Sequence, residues 1–197
     1  MDKCQEIVEK HHSNSTGFCR HYMFLYSVIL GMEAKNVFEF GSGYSSKTIL
    51  FALEETGGHL TSCDCRSIQD SCSQYFGDEF ESMARRWTYL NKRSSAIKEN
   101  VEGKIYDVVL HDGSHTWREV ANDLKIIVPK IKKGGILMVH DTNHPTEKFQ
   151  LDKSIEFIPG NFEKVTLPYG YGLTLIRILE DFGNGEVEIK WRKQTYR

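Results

Sequence analysis

No apolar run in this sequence is long enough to cross a bilayer; the most hydrophobic early stretch, Tyr22 to Gly31, reads as a buried helix instead. An excess of either charge is lacking too. Lys and Arg number 25 against 27 Asp and Glu, a formal net charge of −2, so no global field draws the chain to nucleic acid or anionic lipid. A basic stripe with interleaved aromatics is also missing, which argues against RNA or DNA as a partner. There is no repeat, low-complexity tract or linker, and a single domain over 1–197 is expected, with an N-terminal helical segment (1–32) and a polar tail (180–197). The five cysteines (Cys4, Cys19, Cys63, Cys65 and Cys72) are odd in number and scattered, and Met1 to His12 is too polar for a secretory leader. Reduced thiols and a cytoplasmic setting are the expectation. Cys63 and Cys65 have no second pair to complete a zinc site.

What the chain does have is an alternation of short β-branched runs with longer amphipathic stretches. Strands are expected at 36–40, 59–64, 88–91, 106–111, 136–140, 162–167 and 173–179, with a further one at 187–191. Helices are expected at 18–32, 45–56, 67–87 (broken at Gly77), 116–131 and within 146–158. In the helix at 116–131, Val120, Leu124, Ile127, Val128 and Ile131 recur at helical spacing. Strand–helix alternation means a mostly parallel sheet covered on both faces. The last two strands, joined only by Pro168-Tyr169-Gly170-Tyr171-Gly172, must be antiparallel.

The most specific segment, Val37-Phe38-Glu39-Phe40-Gly41-Ser42-Gly43-Tyr44-Ser45-Ser46, joins a strand to a helix. Gly41 permits a tight turn and Gly43 a close approach of ligand to backbone. Ser46 stands where a dinucleotide fingerprint would have its third glycine, and Glu39 would repel a pyrophosphate but suits a ligand with an amino group. Asp64 ends the second strand 23 residues beyond Gly41, the spacing at which an acid meets ribose hydroxyls.

With these residues the sequence resembles the class I S-adenosylmethionine-dependent methyltransferases. The E-x-G-x-G loop (Glu39, Gly41, Gly43), Asp64, Asp112 after the fourth strand, the Lys132-Lys133-Gly134-Gly135 turn and the closing hairpin carry the likeness over residues 17–179. The resemblance implies an α/β, Rossmann-like doubly wound sheet of strand order 3-2-1-4-5-7-6. It also implies S-adenosylmethionine as cofactor and a small-molecule acceptor methylated at oxygen. The cofactor set so implied is Glu39, Gly41, Ser42, Gly43, Asp64, Cys65, Ser94, Ser95 and Asp112. Glu39 would hold the methionine amino group directly or through water, Asp64 the ribose diol, and Ser94 or Ser95 would lie near the adenine.

The ends of strands four and five deliver polar groups to one rim: His111-Asp112-Gly113-Ser114-His115 and His140-Asp141-Thr142-Asn143-His144. The D-G-x-H and H-D pattern resembles a small-molecule bacterial subgroup of the family. Relatives of the catechol O-methyltransferase kind hold a divalent cation with two acids and an amide. Here Asp112 and Asp141 match the acids, with Mg²⁺ as the ion so implied, but Thr142 stands where the amide would be. Three readings stay open: a cation on Asp112 and Asp141, a metal-free site with His115 as general base beside Asp112, or histidines that only cap strands and loops. His111 and His140 end their strands and are expected in the packing. Tyr22, Tyr26, Phe149, Tyr169 and Tyr171 are candidates to line the acceptor pocket. A nucleotide-dependent oxidoreductase and a non-catalytic S-adenosylmethionine-binding protein are the alternatives.

Overall fold

The structure, a computed structural model, describes residues 2–13, 17–146, 149 and 151–182. The strand expected at 187–191 lies outside them. In chain order the elements are α1 (Lys3–His12), a 3₁₀ turn (Gly17–His21), α2 (Tyr22–Gly31), β1 (Asn36–Phe40), α3 (Tyr44–Thr56) and β2 (His59–Asp64). Then come α4 (Ile68–Ser71), α5 (Phe80–Ala84), β3 (Trp87–Asn91), α6 (Lys98–Val101), β4 (Tyr106–His111) and α7 (Trp117–Ile127). The series ends with β5 (Ile131–His140), α8 (Asp152–Ile155), β6 (Phe162–Leu167) and β7 (Leu173–Ile178).

The seven strands form one sheet in the order β3-β2-β1-β4-β5-β7-β6. β1 to β5 run parallel, while β7 pairs antiparallel with both β5 and β6. Each face of the sheet has its own core. Val37, Leu60, Val108, Leu110 and Met138 pack with α2 and α3, whereas Phe38, Phe40, Val109, Leu137 and Val139 pack with α7 and α8. Burying side chains of this size stabilises by about 1.5–3 kcal/mol each, which makes the two layers, not intrinsic propensity, the source of the helices' stability. Helix α3 is buried from Tyr44 through Leu53, so it is an interior element, and Gly57 (φ +74°) ends it in the left-handed conformation. Glu6 docks α1 on α3 by accepting from Tyr44 Oη (2.9 Å) and pairing with Lys47 Nζ (2.8 Å). Among the described residues no helix is long and apolar enough to cross a membrane, and all five cysteines are free.

Three boundaries differ from the sequence reading. The segment expected as helix over 67–87 with a break at Gly77 is two short helices with 3₁₀ turns between them, one starting at Gly77, and Trp87 belongs to β3, where it pairs with Leu60. Helix α7 stops at Ile127; Ile131, in helical phase with it, is instead the first residue of β5 and pairs with Tyr106. The register then jumps to Val108–Ile136, so Lys132 to Gly135 bulge out of the strand rather than precede it. The helix expected within 146–158 is the single turn α8.

The chain order around the sheet reverses between β1 and β4. Their carboxyl ends therefore open onto a crevice, the place where open α/β sheets bind ligands.

Candidate active site

Two cavities lie at that crevice. One, of about 570 Å³, is lined by Gly41, Asp64, Cys65, Ser94, Ser95 and Asp112, among others. The second, of about 480 Å³, is lined by Ser42, Gly43, Tyr22, Asp141, Phe149 and Tyr171, among others. Arg66, Asp112 and His115 line both, so they form a wall common to the two.

The β1–α3 loop is built by close backbone contact. Gly41 adopts φ +82°, and a Cβ there would collide with the Asp112 carbonyl oxygen. Gly43 is different: its φ of 176° is ordinary extended backbone, and a Cβ would meet only Tyr75 Cε2, at 4.0 Å. Only Gly41 is needed for the turn, and the space over Gly43 is cavity. Asp64 accepts from Ser42 N (3.0 Å) and Oγ (2.9 Å) on one oxygen, and from Arg66 N (2.8 Å) on the other. The Arg66 guanidinium adds Nη2 at 2.8 Å and Nε at 3.2 Å. Burial works against ionising Asp64, but the Arg66 and Ser42 hydrogen bonds hold its carboxyl below the ordinary aspartate value.

Glu39 reaches the cavity only through its hydroxyl partners. It is fully buried, lines neither cavity, and accepts from Ser45 Oγ (2.6 Å), Ser46 Oγ (2.6 Å) and Ser62 Oγ (2.8 Å). Ser46 Oγ in turn accepts from Gly43 N (3.3 Å), so Glu39 braces the loop through serine. Burial pushes its pKa up to about 7 against the pull of those hydroxyls. A carboxyl raised in this way favours folding below its ordinary value of 4.5 and loses that contribution as pH climbs through about 7. Glu39→Gln cannot titrate. Its stability deficit relative to wild type should therefore shrink by about 3 kcal/mol across that window, read by urea unfolding at each pH. A deficit that stays constant with pH would mean that Glu39 is ionised throughout.

At the other rim, four groups converge. His140 Nδ1 lies 2.9 Å from Asp112 Oδ1 and 3.1 Å from Asp141 Oδ1, while its Nε2 lies 2.8 Å from the Gly170 carbonyl oxygen. His115 Nδ1 lies 2.8 Å from Asp141 Oδ2. The Asp141 hydrogen bond raises the His115 pKa above its ordinary value, with burial opposing. Asp141 itself is in the left-handed region (φ +58°), a strained conformation for a residue with a side chain. Among the described residues, Asp112, His140 and Asp141 form a cluster whose donor atoms all lie within 4.8 Å of one another.

Most of the residues named from sequence meet here. Gly41, Asp64, Cys65, Ser94 and Ser95 share one cavity, Ser42 and Gly43 the other, and Asp112 and His115 belong to both. Of the expected acceptor aromatics, Tyr22, Phe149 and Tyr171 line a cavity; Tyr26 is buried in the core, and Tyr169 is exposed and lines neither. His111 packs inward as expected, its Nε2 3.0 Å from Asp123 Oδ2, and His140 is buried as well, its ring against Phe18 and His21 while its Nδ1 faces Asp112. Sequence reasoning placed His140 in the packing because it ends its strand, and did not foresee its contact with the two acids. Asp141, with its left-handed backbone, lies with Oδ1 3.1 Å from His140 Nδ1. Arg66 was also missed; its signal was its place two residues after Asp64. Thr142 is committed elsewhere: it is buried and accepts from Thr174 Oγ1 at 2.8 Å.

A family described as a methyltransferase domain matches residues 38–142, more than half of the chain. The chain belongs to this family, that of the class I S-adenosylmethionine-dependent methyltransferases. It is similar in fold to the S-adenosylhomocysteine-bound methyltransferase PaMTH1 of Podospora anserina (15% identity, TM-score 0.67, covering 91% of this chain and 89% of that one). It is likewise similar to the O-methyltransferase TomG of Streptomyces achromogenes, solved with S-adenosylmethionine and involved in tomaymycin synthesis (12% identity, TM-score 0.66, 91% of each chain). The mycinamycin-pathway methyltransferase MycE, solved with Mg, S-adenosylhomocysteine and mycinamycin VI, matches at 15% identity and TM-score 0.59 over 91% of this chain and 54% of its own. Among curated sequences, the uncharacterized protein y4gI of Sinorhizobium fredii is 20% identical over 173 residues, and the chain spans 19% of its length.

Proposed function

We propose that this chain transfers the methyl group of S-adenosylmethionine to an oxygen of a small-molecule acceptor. The adenosine would lie in the cavity of Asp64, Cys65, Ser94 and Ser95, and the methionine along Ser42 and Gly43. The observation that carries this reading is the shared wall: Asp112 and the His115–Asp141 pair stand where the cofactor cavity adjoins an aromatic-walled one. The sulfonium already activates the methyl group, so the protein's work is alignment and proton removal. Tyr22, Phe149 and Tyr171 flank the acceptor. Asp141 orients His115, whose second nitrogen takes the acceptor proton. Glu39 acts by holding Ser45 and Ser46, not by touching the cofactor. The donor set fits a divalent cation: Asp112, His140 and Asp141 would hold it, and the ion would supply a lowered pKa for the acceptor hydroxyl.

Calorimetry tests the cofactor half. S-adenosylmethionine should bind and NAD should not. Asp64 would hold the ribose diol. Losing a hydrogen bond to a charged group costs about 1.5–3 kcal/mol, so Asp64→Ala should weaken binding roughly ten- to a hundredfold. Unchanged affinity in the folded variant would remove Asp64 from the site. S-adenosylhomocysteine formation across a panel of hydroxylated acceptors tests the catalytic half. Binding without turnover on any acceptor would favour a non-catalytic binder.

A further inference from the structure

We infer that Asp123, on α7, reads the amino group of the cofactor's adenine and so restricts the chain to a 6-aminopurine. The inference rests on the proposed placement of the adenosine and names the residue that recognises its base.

Asp123 is only 2% exposed, yet it lines the cavity of about 570 Å³ together with Ser94, Ser95 and Gly113. A buried carboxylate needs hydrogen-bond donors for its oxygens. Among the described residues it has one: His111 Nε2, 3.0 Å from Oδ2. A carboxylate oxygen accepts, so that nitrogen carries the hydrogen. The imidazole is itself fixed. It is fully buried at the end of β4 and lies against the Phe40 ring, with centroids 4.8 Å apart. His111 therefore pins Oδ2, and Oδ1 is left without a donor from the described residues, at the wall of a cavity.

The other groups of that cavity suit a purine but do not select one. Phe40 and Cys63 line it and offer a base apolar contact. The Cys63 thiol is spent on the Lys92 carbonyl oxygen, at 3.2 Å. Lys92 Nζ donates to Asn100 Oδ1 at 3.0 Å, and among the described residues the ion pairing of Asp123 is with His111 alone. Ser94 and Ser95 present hydroxyls, which donate or accept and so cannot tell an amine from a carbonyl. A carboxylate oxygen only accepts. It bonds the exocyclic N–H of adenine and repels the O6 of hypoxanthine. A site built to hydrogen-bond an N–H rejects the analogue that lacks it, because the buried acceptor then stays unpaired.

Calorimetry on the full chain tests this with S-adenosylhomocysteine and S-inosylhomocysteine, which differ only at the edge of the base. The inosyl analogue should bind at least about tenfold more weakly. In Asp123→Asn the amide oxygen stays on His111 Nε2, so the NH₂ group turns to the base. It donates to O6 and meets the adenine amine donor to donor, so the preference should move towards the inosyl analogue by at least about tenfold. A merely structural role would weaken both ligands alike and leave their ratio unchanged. Equal affinity of the wild type for both ligands, or an unchanged ratio in the folded variant, would overturn the inference. If Asp123→Asn does not fold, a crystal structure of the wild-type chain with S-adenosylhomocysteine decides. Adenine N6 within about 3.2 Å of Asp123 Oδ1 upholds the inference, and N6 held by other groups overturns it. A chain that binds neither ligand would sink the proposed function and this inference with it; one that binds both equally sinks this inference alone.

Discussion

His115→Ala is expected to lower turnover by about 100- to 10,000-fold while S-adenosylhomocysteine binding stays within a few fold of wild type. The expectation follows from how the ring is held. Asp141 Oδ2, 2.8 Å from His115 Nδ1, is a carboxylate acceptor, so Nδ1 carries the hydrogen and Nε2 is left with a lone pair. The side chain is about half exposed and lies on the wall common to both cavities, where the acceptor oxygen has to approach the methyl group. A base aligned by a carboxylate in this way contributes to proton transfer and little to holding the cofactor, which in the proposed function would rest on the first half of the sheet. Asp141→Asn should show the same split, with turnover falling more than affinity. Added imidazole should restore part of the activity of the alanine variant, since the cavity it would enter is open. An alanine variant that keeps its turnover would refute the role. So would one that loses cofactor binding in proportion to turnover, because His115 would then be a wall residue only.

Gly43→Val should abolish cofactor binding, a loss of more than about a hundredfold, in a protein that still folds. The two loop glycines are separable on geometry. At Gly43 the backbone is extended and a Cβ finds open cavity, so a branched side chain costs the fold little and fills the space where the methionine would lie. At Gly41 the positive φ and the Asp112 carbonyl leave no room, and Gly41→Val should destabilise the fold by several kcal/mol. Circular dichroism melts separate the two: the Gly43 variant should melt near wild type and the Gly41 variant well below it. Normal S-adenosylmethionine affinity in Gly43→Val would move the methionine away from this loop.

Periodicity and turn chemistry already determined most of the architecture. The five-residue run ending at Phe40, the glycines at 41 and 43, the acid at 64 and the tight turn at 168–172 depend on neighbours in the chain. For that reason the strands at 36–40, 59–64, 106–111 and 162–167 stand where alternation put them. Strand order followed from the family resemblance that the same motifs carry, and the observed sheet matches it. Errors gathered where tertiary pairing overrode local preference: Trp87 and Ile131 fit helical patterns but are captured by the sheet, because an unpaired strand residue beside β2 or β4 would leave backbone groups unsatisfied.

For the candidate site, local sequence was enough to name acids and histidines at strand ends, since chain direction alone brings the carboxyl ends of parallel strands to one rim. What it did not determine was the direction of each side chain. Glu39 turns into the layer beneath the sheet because three serines on α3 and β2 satisfy it there. His140 joins the aspartates because a hairpin carbonyl 30 residues further on captures its far nitrogen. Arg66 closes on Asp64 because a buried carboxylate with unfilled lone pairs takes the nearest donor. Such orientations depend on partners distant in sequence, and only the packed chain decides them.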